Sequence, residues 1–320
     1  MQNFDRLVTV YGGSGFVGRH IVRALAKRGF RIRVAVRRPD LAGHLQPLGA
    51  VGQIHAVQAN LRYPDSVRAA AEGAEAVINC VGILFESGRQ KFDAVQARGA
   101  ASVAAAAAAV GARVIHLSAI GADANSDAVY ARTKAAGEAA VLSAVPEAII
   151  LRPSIVFGPE DAFFNRFAGM AEMAPALPLV GGGLTKFQPV YVGDVAQAVS
   201  TAVDGCARPG TIYELGGPSV KTFKELLEFT LATTNRRRLL LPLPFSLALL
   251  QSKILQYLPN PPLTPDQVRM LMVDNIVSEA ATAEGRTLQG LGIQGQSVEA
   301  IVPGYLWRFR KSGQFAEQMR

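Results

Sequence analysis

The chain has 320 residues, 49% hydrophobic and 18% charged, which provides for one large core, or a core with an attached lobe, and excludes a disordered chain. Cys80 and Cys206 are too few and too far apart for a disulfide framework or a metal site, so a reducing compartment is expected, and the four histidines form no ligand pattern. The net charge of +8 favours an anionic ligand, an acidic partner or an anionic membrane face, whereas no nucleic-acid motif is present and nucleic acid is not expected.

The first strand is expected at Leu7–Tyr11. Because it starts within the opening ten residues it leaves no room for a signal or transit peptide, so the chain is expected to be cytosolic or already processed. Gly12-Gly13-Ser14-Gly15-Phe16-Val17-Gly18 follows at once and leads into a helix expected at 16–28. A G-x-x-G-x-x-G run between a strand and a helix lets the backbone turn sharply and brings amide N–H groups and a helix N-terminus against a pyrophosphate. Gly12, Ser14, Gly15, Phe16, Val17 and Gly18 are therefore the expected seat of a dinucleotide. Further apolar runs at 31–36, 54–58, 76–80, 114–118 and 148–151 alternate with helical patterns, the signature of a doubly wound parallel α/β sheet. Alanine-rich 100–110 reads as a slender helix able to lie close to that sheet. No apolar run reaches the ~20 residues of a membrane-spanning helix.

The strand ends carry the candidate chemistry. An NAD-specific site places an acidic residue about 20 residues after the glycines, to hydrogen-bond the adenosine ribose. Here Arg37 and Arg38 stand at that point, which matches a 2′-phosphate and favours NADP(H), although the same pair also fits a solvated basic turn before Pro39. Asn60 and Leu61 end the third strand, within reach of an adenine, and Cys80, Val81 and Gly82 end the fourth, near the ribose and pyrophosphate. Tyr130 and Lys134 are four apart on the helix after the fifth strand, hence on one face, where an ammonium favours the phenolate and suits the tyrosine to proton transfer. Lys134 also suits the nicotinamide ribose, and Ser118 is placed to orient a carbonyl or hydroxyl. The same spacing equally fits an ordinary packing pair. Pro153, after the sixth strand, opens a proline-rich loop expected to line the cleft.

Strand-like pieces at 186–192 and 211–215, flanking a helix capped near Asp194, are expected to continue the sheet. From Thr222 the pattern turns mainly helical. The expected division is a nucleotide-binding domain at 1–221 and a smaller, mainly helical C-terminal lobe at 222–320 that faces substrate or partner. Within the lobe, 236–255 joins Arg236, Arg237 and Arg238 to a leucine-rich stretch. That combination fits an anionic membrane surface, a docking site, or a core helix.

The glycine run, the Asn79 strand end, the Tyr130/Lys134 pair, Arg152-Pro153 and Pro189-Val190-Tyr191-Val192-Gly193-Asp194 together resemble an extended or atypical short-chain dehydrogenase/reductase of Rossmann type over about residues 5–220. Leu263-Thr264-Pro265-Asp266-Gln267-Val268-Arg269-Met270-Leu271, Asp274-Asn275-Ile276-Val277-Ser278 and the Gly12–Gly18 run resemble the nucleotide-binding accessory subunits of respiratory complex I and their bacterial relatives. That resemblance implies a tightly held NADPH, complex I subunits as partners, no metal, and a role in assembly or stabilisation without established turnover. It also implies a peripheral place on a bacterial inner membrane, or on the matrix side of a mitochondrion. Ser118 and Tyr130 are only 12 apart, closer than in ordinary extended members, so enzyme status stays open. The alternatives are an active NADP(H)-dependent oxidoreductase or nucleotide-sugar epimerase using Ser118, Tyr130 and Lys134, and an NADPH-responsive redox sensor.

Overall fold

The computed structural model describes residues 6–311. Seven apolar runs lie side by side in parallel: β1 (Leu7–Tyr11), β2 (Arg31–Val36), β3 (Ile54–Gln58), β4 (Ala76–Asn79), β5 (Arg113–Leu117), β6 (Ile149–Pro153) and a last strand, Ile212–Leu215. β1 and β4 are buried along their whole length, as strands covered on both faces must be. The order is β3-β2-β1-β4-β5-β6 and then Ile212–Leu215, so the winding reverses between β1 and β4. At such a reversal the connections leave in opposite directions and open a crevice at the strands' carboxyl ends.

The intervening helices are α1 (Phe16–Lys27), α2 (Pro64–Ala71), α3 (Arg98–Ala109) and α4 (Val129–Ala144). Ala100, Val103, Ala104 and Ala107 of α3 share one core with Val77, Val114 and Ile150 of the sheet and Val141 of α4. Small side chains allow that closeness. A Cβ on Gly137 would stand 2.3 Å from the Gln96 carbonyl oxygen, so α4 meets the turn preceding α3 through bare backbone.

Two compact units interleave along the chain instead of dividing at 221/222. The first takes in the residues through Pro153, Gly193–Leu215 and Ser278–Ile293; the second takes in Ser154–Val192, Gly216–Val277 and Gln294 onward. The physical reason for the return at 278 is the edge of the last strand. Glu214 Oε2 accepts the Ser278 N–H at 2.7 Å, the Glu214 N–H donates to the Arg286 carbonyl at 2.9 Å, and Arg286 Nη1 donates to the Ile212 carbonyl at 2.7 Å. An edge that would otherwise expose unpaired backbone is thereby covered.

In the second unit the expectation for 186–192 is corrected. It forms two short strands outside the main sheet, Lys186–Phe187 against Lys221–Thr222 and Val190–Tyr191 against Val156–Phe157. Pro189 separates them and lacks the N–H a continuous strand needs. The helix expected to be capped at Asp194 begins at Val192 instead, with Asp194 inside its first turn. The 222–320 region is not helical throughout, since Leu239–Leu243 pairs with Ala176–Val180. Asp274 and Asn275 hold this unit together: Asp274 Oδ1 accepts the Lys186 N–H at 2.8 Å, and the Asn275 carbonyl accepts the Gln188 N–H at 3.1 Å and the Ser154 hydroxyl at 2.9 Å.

Candidate dinucleotide site

The site lies in the first unit, at the carboxyl ends of the parallel strands. Gly12 turns at φ +79°, its N–H donates to the Ala35 carbonyl at 3.1 Å, and its own carbonyl accepts the Gly15 N–H at 3.0 Å. A Cβ on Gly18 would lie 2.2 Å from that Gly12 oxygen and 2.6 Å from Gly13 Cα, so only glycine lets α1 start this close to the turn. α1 opens at Gly15 with no side-chain cap and no acid in its first turn. Its first N–H groups and positive dipole end are therefore directed toward a position suited to an anion. Ser14, Phe16 and Val17, half-buried, form the same turn. Val81 flanks it, its Cγ2 3.1 Å from where a Cβ on Gly12 would be. This cradle fits a pyrophosphate.

At the end of β2, Arg37 and Arg38 are both exposed, and Arg38 is held by Asp40, Nη2 to Oδ2 at 2.7 Å. Beyond β3, Asn60 Oδ1 accepts the Arg62 N–H at 3.1 Å, which fixes the loop, and Leu61 packs into the core against Gly99. Pro153 ends β6 beside Leu215 and accepts the Ile120 N–H at 3.0 Å.

The fourth and fifth strand ends converge with α4. Lys134 is buried and its Nζ donates to the Leu117 carbonyl at 3.1 Å; it lies 3.6 Å from where a Cβ on Gly82 would be and 6.0 Å from the centre of the Tyr130 ring. Phe92 meets Tyr130 edge-on, with centroids 5.8 Å apart. The Ser118 hydroxyl is buried and has no hydrogen-bond partner among the described residues, the kind of atom that a bound ligand satisfies. Ser118, Tyr130 and Lys134 thus lie around the β5–α4 connection, with Cys80, Val81 and Gly82 beside them. Burial pushes the Cys80 thiol up to about 12, so it is no nucleophile at neutral pH.

Burial also pulls Lys134 down to about 8, against the opposing charge of Glu138. The folded chain holds this proton less tightly than the unfolded one. Lys134 therefore opposes folding below about pH 8, and that opposition fades as pH climbs toward the ordinary lysine range near ~10.4. An ammonium that contacts a nucleotide should make affinity fall as pH rises through about 8. NADPH titrations at pH 7 and pH 9.5 check this, with Lys134→Met expected to flatten the dependence; a flat profile in the unaltered chain would remove Lys134 from the site.

Three supporting residues escaped the sequence reading. Gln96 Nε2 donates to the Ile83 carbonyl at 2.9 Å while its Oε1 accepts the Thr133 hydroxyl at 2.9 Å, tying the loop after β4 to α4. It lies in a π-helical turn, Asp93–Ala97, for which no motif exists. His116, buried and pushed down to about 3 by its burial, faces Asn79 with Nδ1 3.2 Å from Nδ2. Because Asn79 Oδ1 already accepts the Val81 N–H at 3.1 Å, the amide NH₂ donates to His116 Nδ1 and the ring proton sits on Nε2. Glu138, one turn beyond Lys134, clamps Arg152 of β6 at 2.6 and 2.9 Å. The i,i+4 step from Lys134 was the available signal.

These features define a dinucleotide-binding α/β protein of the doubly wound class. The chain belongs to the NAD dependent epimerase/dehydratase family, whose model matches residues 8–216, and the cofactor class is NAD(P). It is 36% identical over 320 residues to the mitochondrial NADH dehydrogenase (ubiquinone) 1 alpha subcomplex subunit 9 of Arabidopsis thaliana, covering 96% of this chain and 79% of that one. It is also 36% identical over 203 residues to the ceramide reductase of Caulobacter vibrioides, covering 63% of this chain and 62% of the relative. The UDP-glucose 4-epimerase of Thermotoga maritima shares the fold, with a TM-score of 0.70 at 17% identity over 96% of this chain and 99% of that one. Among the described residues no His/Cys/Asp/Glu group could hold a metal, and no helix is long and apolar enough to cross a membrane.

Proposed function

We propose that the chain is an NADP(H)-holding accessory or assembly subunit of respiratory complex I, peripheral to the membrane that carries it. The observation that carries this reading is the 36% identity along almost the whole chain to a subunit of a ubiquinone-reducing NADH dehydrogenase. The glycine cradle and the buried Lys134 support the nucleotide, and Arg37 supports its 2′-phosphate.

The attachment expected of 236–255 takes a different form from the one its composition suggested. Arg236 donates to Glu172 and to the Phe309 carbonyl, both at 2.8 Å, and its side chain is only 8% exposed. Arg238 donates to the Ala171 carbonyl at 2.8 Å. These two arginines brace their own unit and are not directed at anionic headgroups. The helix Phe245–Leu255 buries Ala248 and Ser252 and leaves Leu247, Leu250 and Ile254 exposed on the opposite side, with Tyr257 and Leu258 beyond. An apolar face of that kind calls for a cover, which the complex would supply.

Purification of the tagged chain from native membranes in mild detergent is expected to bring NADH dehydrogenase subunits and NADPH with it. Leu250→Ser with Ile254→Ser should reduce that recovery several-fold, whereas Arg237→Ser should not. Recovery of the chain alone would defeat the reading.

A second reading, an NADP(H)-dependent carbonyl reductase, is favoured by the grouping of Ser118, Tyr130 and Lys134 and by the ceramide reductase relative. Under the accessory-subunit reading, NADPH oxidation with generic carbonyl or sugar-nucleotide substrates stays near background, and Tyr130→Phe leaves nucleotide binding intact. Rapid oxidation that vanishes in Tyr130→Phe would promote the reductase.

A further inference from the structure

We infer that His116 is a positioning residue for the dinucleotide: through Asn79 it sets the loop at 80–82 against the glycine turn. This rests on the dinucleotide reading of the site and deepens it.

Three paired strands put the parts in line. Tyr11 of β1 lies opposite Asn79 of β4, and Asn79 opposite His116 of β5, so the three side chains form one row on one face of the sheet. β4 stops at Asn79, and the chain turns directly onto the glycines. The Cys80 N–H donates to the Tyr11 carbonyl at 3.0 Å, and the Cys80 carbonyl carbon and the Val81 nitrogen each lie 3.2 Å from where a Cβ on Gly12 would stand. The place of Val81 therefore decides how much room a pyrophosphate finds beside Gly12. Asn79 Oδ1 holds it there, accepting the Val81 N–H at 3.1 Å.

An asparagine can hold that N–H only with its oxygen turned toward it, and its NH₂ then points at His116 Nδ1, 3.2 Å away. Nδ1 must accept. With the ring proton on Nδ1 the amide would turn over, and its NH₂ would face the Val81 N–H, donor against donor. Burial, helped by the neighbouring Lys134 ammonium, keeps the ring neutral, so one ring nitrogen stays free to accept. The proton then sits on Nε2, a buried donor with no partner among the described residues. Such a donor costs stability that an apolar side chain would not. Packing alone does not call for a histidine here, whereas the orientation of Asn79 does. The far end of the loop is fixed separately, by Gln96 Nε2 on the Ile83 carbonyl at 2.9 Å, so releasing Val81 shifts the loop without unfolding it.

Calorimetry of the full chain with NADPH and with NADH, together with thermal melts, tests the assignment. His116→Leu is expected to weaken both nucleotides by about tenfold, because the pyrophosphate is common to them, and to move the melting temperature by less than about 4 °C. His116→Asn, whose Oδ1 can stand in for Nδ1, should bind both within about threefold of the unaltered chain. Asn79→Leu should lose as much as His116→Leu, and the double variant no more than Asn79→Leu alone, as a residue acting through another requires. Nitrogen-15 spectra of the unaltered chain should show the His116 proton on Nε2, a readout that stands even where a variant fails to fold. Unchanged affinity in His116→Leu, losses that add in the double variant, no rescue by His116→Asn, or a proton on Nδ1 would each overturn the assignment. An unaltered chain that binds neither nucleotide would overturn the dinucleotide reading itself, a failure distinct from that of His116.

Discussion

Gly18→Ala is expected to lose NADPH binding by on the order of 100-fold. The new Cβ would stand 2.2 Å from the Gly12 carbonyl oxygen and 2.6 Å from Gly13 Cα, and both are backbone atoms that no rotamer change can move aside. Relief requires α1 to withdraw from the turn, which separates the first-turn N–H groups from the anion they would hold. Losing one or two charge-assisted hydrogen bonds, each worth about 1.5–3 kcal/mol, gives that magnitude. Overpacking should also destabilise the fold by about 1–3 kcal/mol. Gly43→Ala is the control, since its Cβ would meet nothing within 4 Å and its effect should remain within about 0.5 kcal/mol. Calorimetry and thermal melts of both variants measure the contrast; normal nucleotide binding by Gly18→Ala would place the pyrophosphate elsewhere.

Glu138→Ala is expected to produce the largest loss of stability. Glu138 is buried and grips Arg152 through both carboxylate oxygens, while Glu214 stands farther off at 3.9 Å. Removing one partner leaves the half-buried Arg152 guanidinium with only the more distant Glu214 and costs about 2–3 kcal/mol. Replacing both, Glu138→Leu with Arg152→Met, should recover much of the loss, because well-packed apolar groups often substitute for such a pair at little cost. Denaturant unfolding of the two variants decides the matter. A loss below about 1 kcal/mol in Glu138→Ala would reduce the pair to a surface-like contact.

How much of this was legible in the sequence depended on whether the deciding interactions were local. β1, β2 and β3 lie where their apolar residues placed them: β1 is buried along its whole length, whereas β2 and β3 are buried only in part and kept enough apolar positions between turn signals to be read as strands. The glycine turn was legible for a related reason: its close backbone approach depends on missing side chains at fixed spacing. Arg37 and Arg38 looked alike in the sequence, and it took Asp40's choice of partner to separate them. Lys186–Phe187 and Val190–Tyr191 have strand composition, yet composition does not say which sheet a strand joins. The arginines at 236–238 read as one basic patch until Glu172 and two backbone carbonyls claimed Arg236 and Arg238.

By itself, then, the sequence determined the α/β class, the glycine turn between the first strand and helix, and the residues gathered at the strand ends, since each follows from periodicity or from short-range backbone geometry. Tertiary structure alone decided the interleaving of the two units, the burial that lowers the Lys134 pKa and the Glu138–Arg152 clamp. Burial and edge pairing bring together residues far apart in the chain, such as Ser278 and Glu214, whose meeting no local pattern encodes.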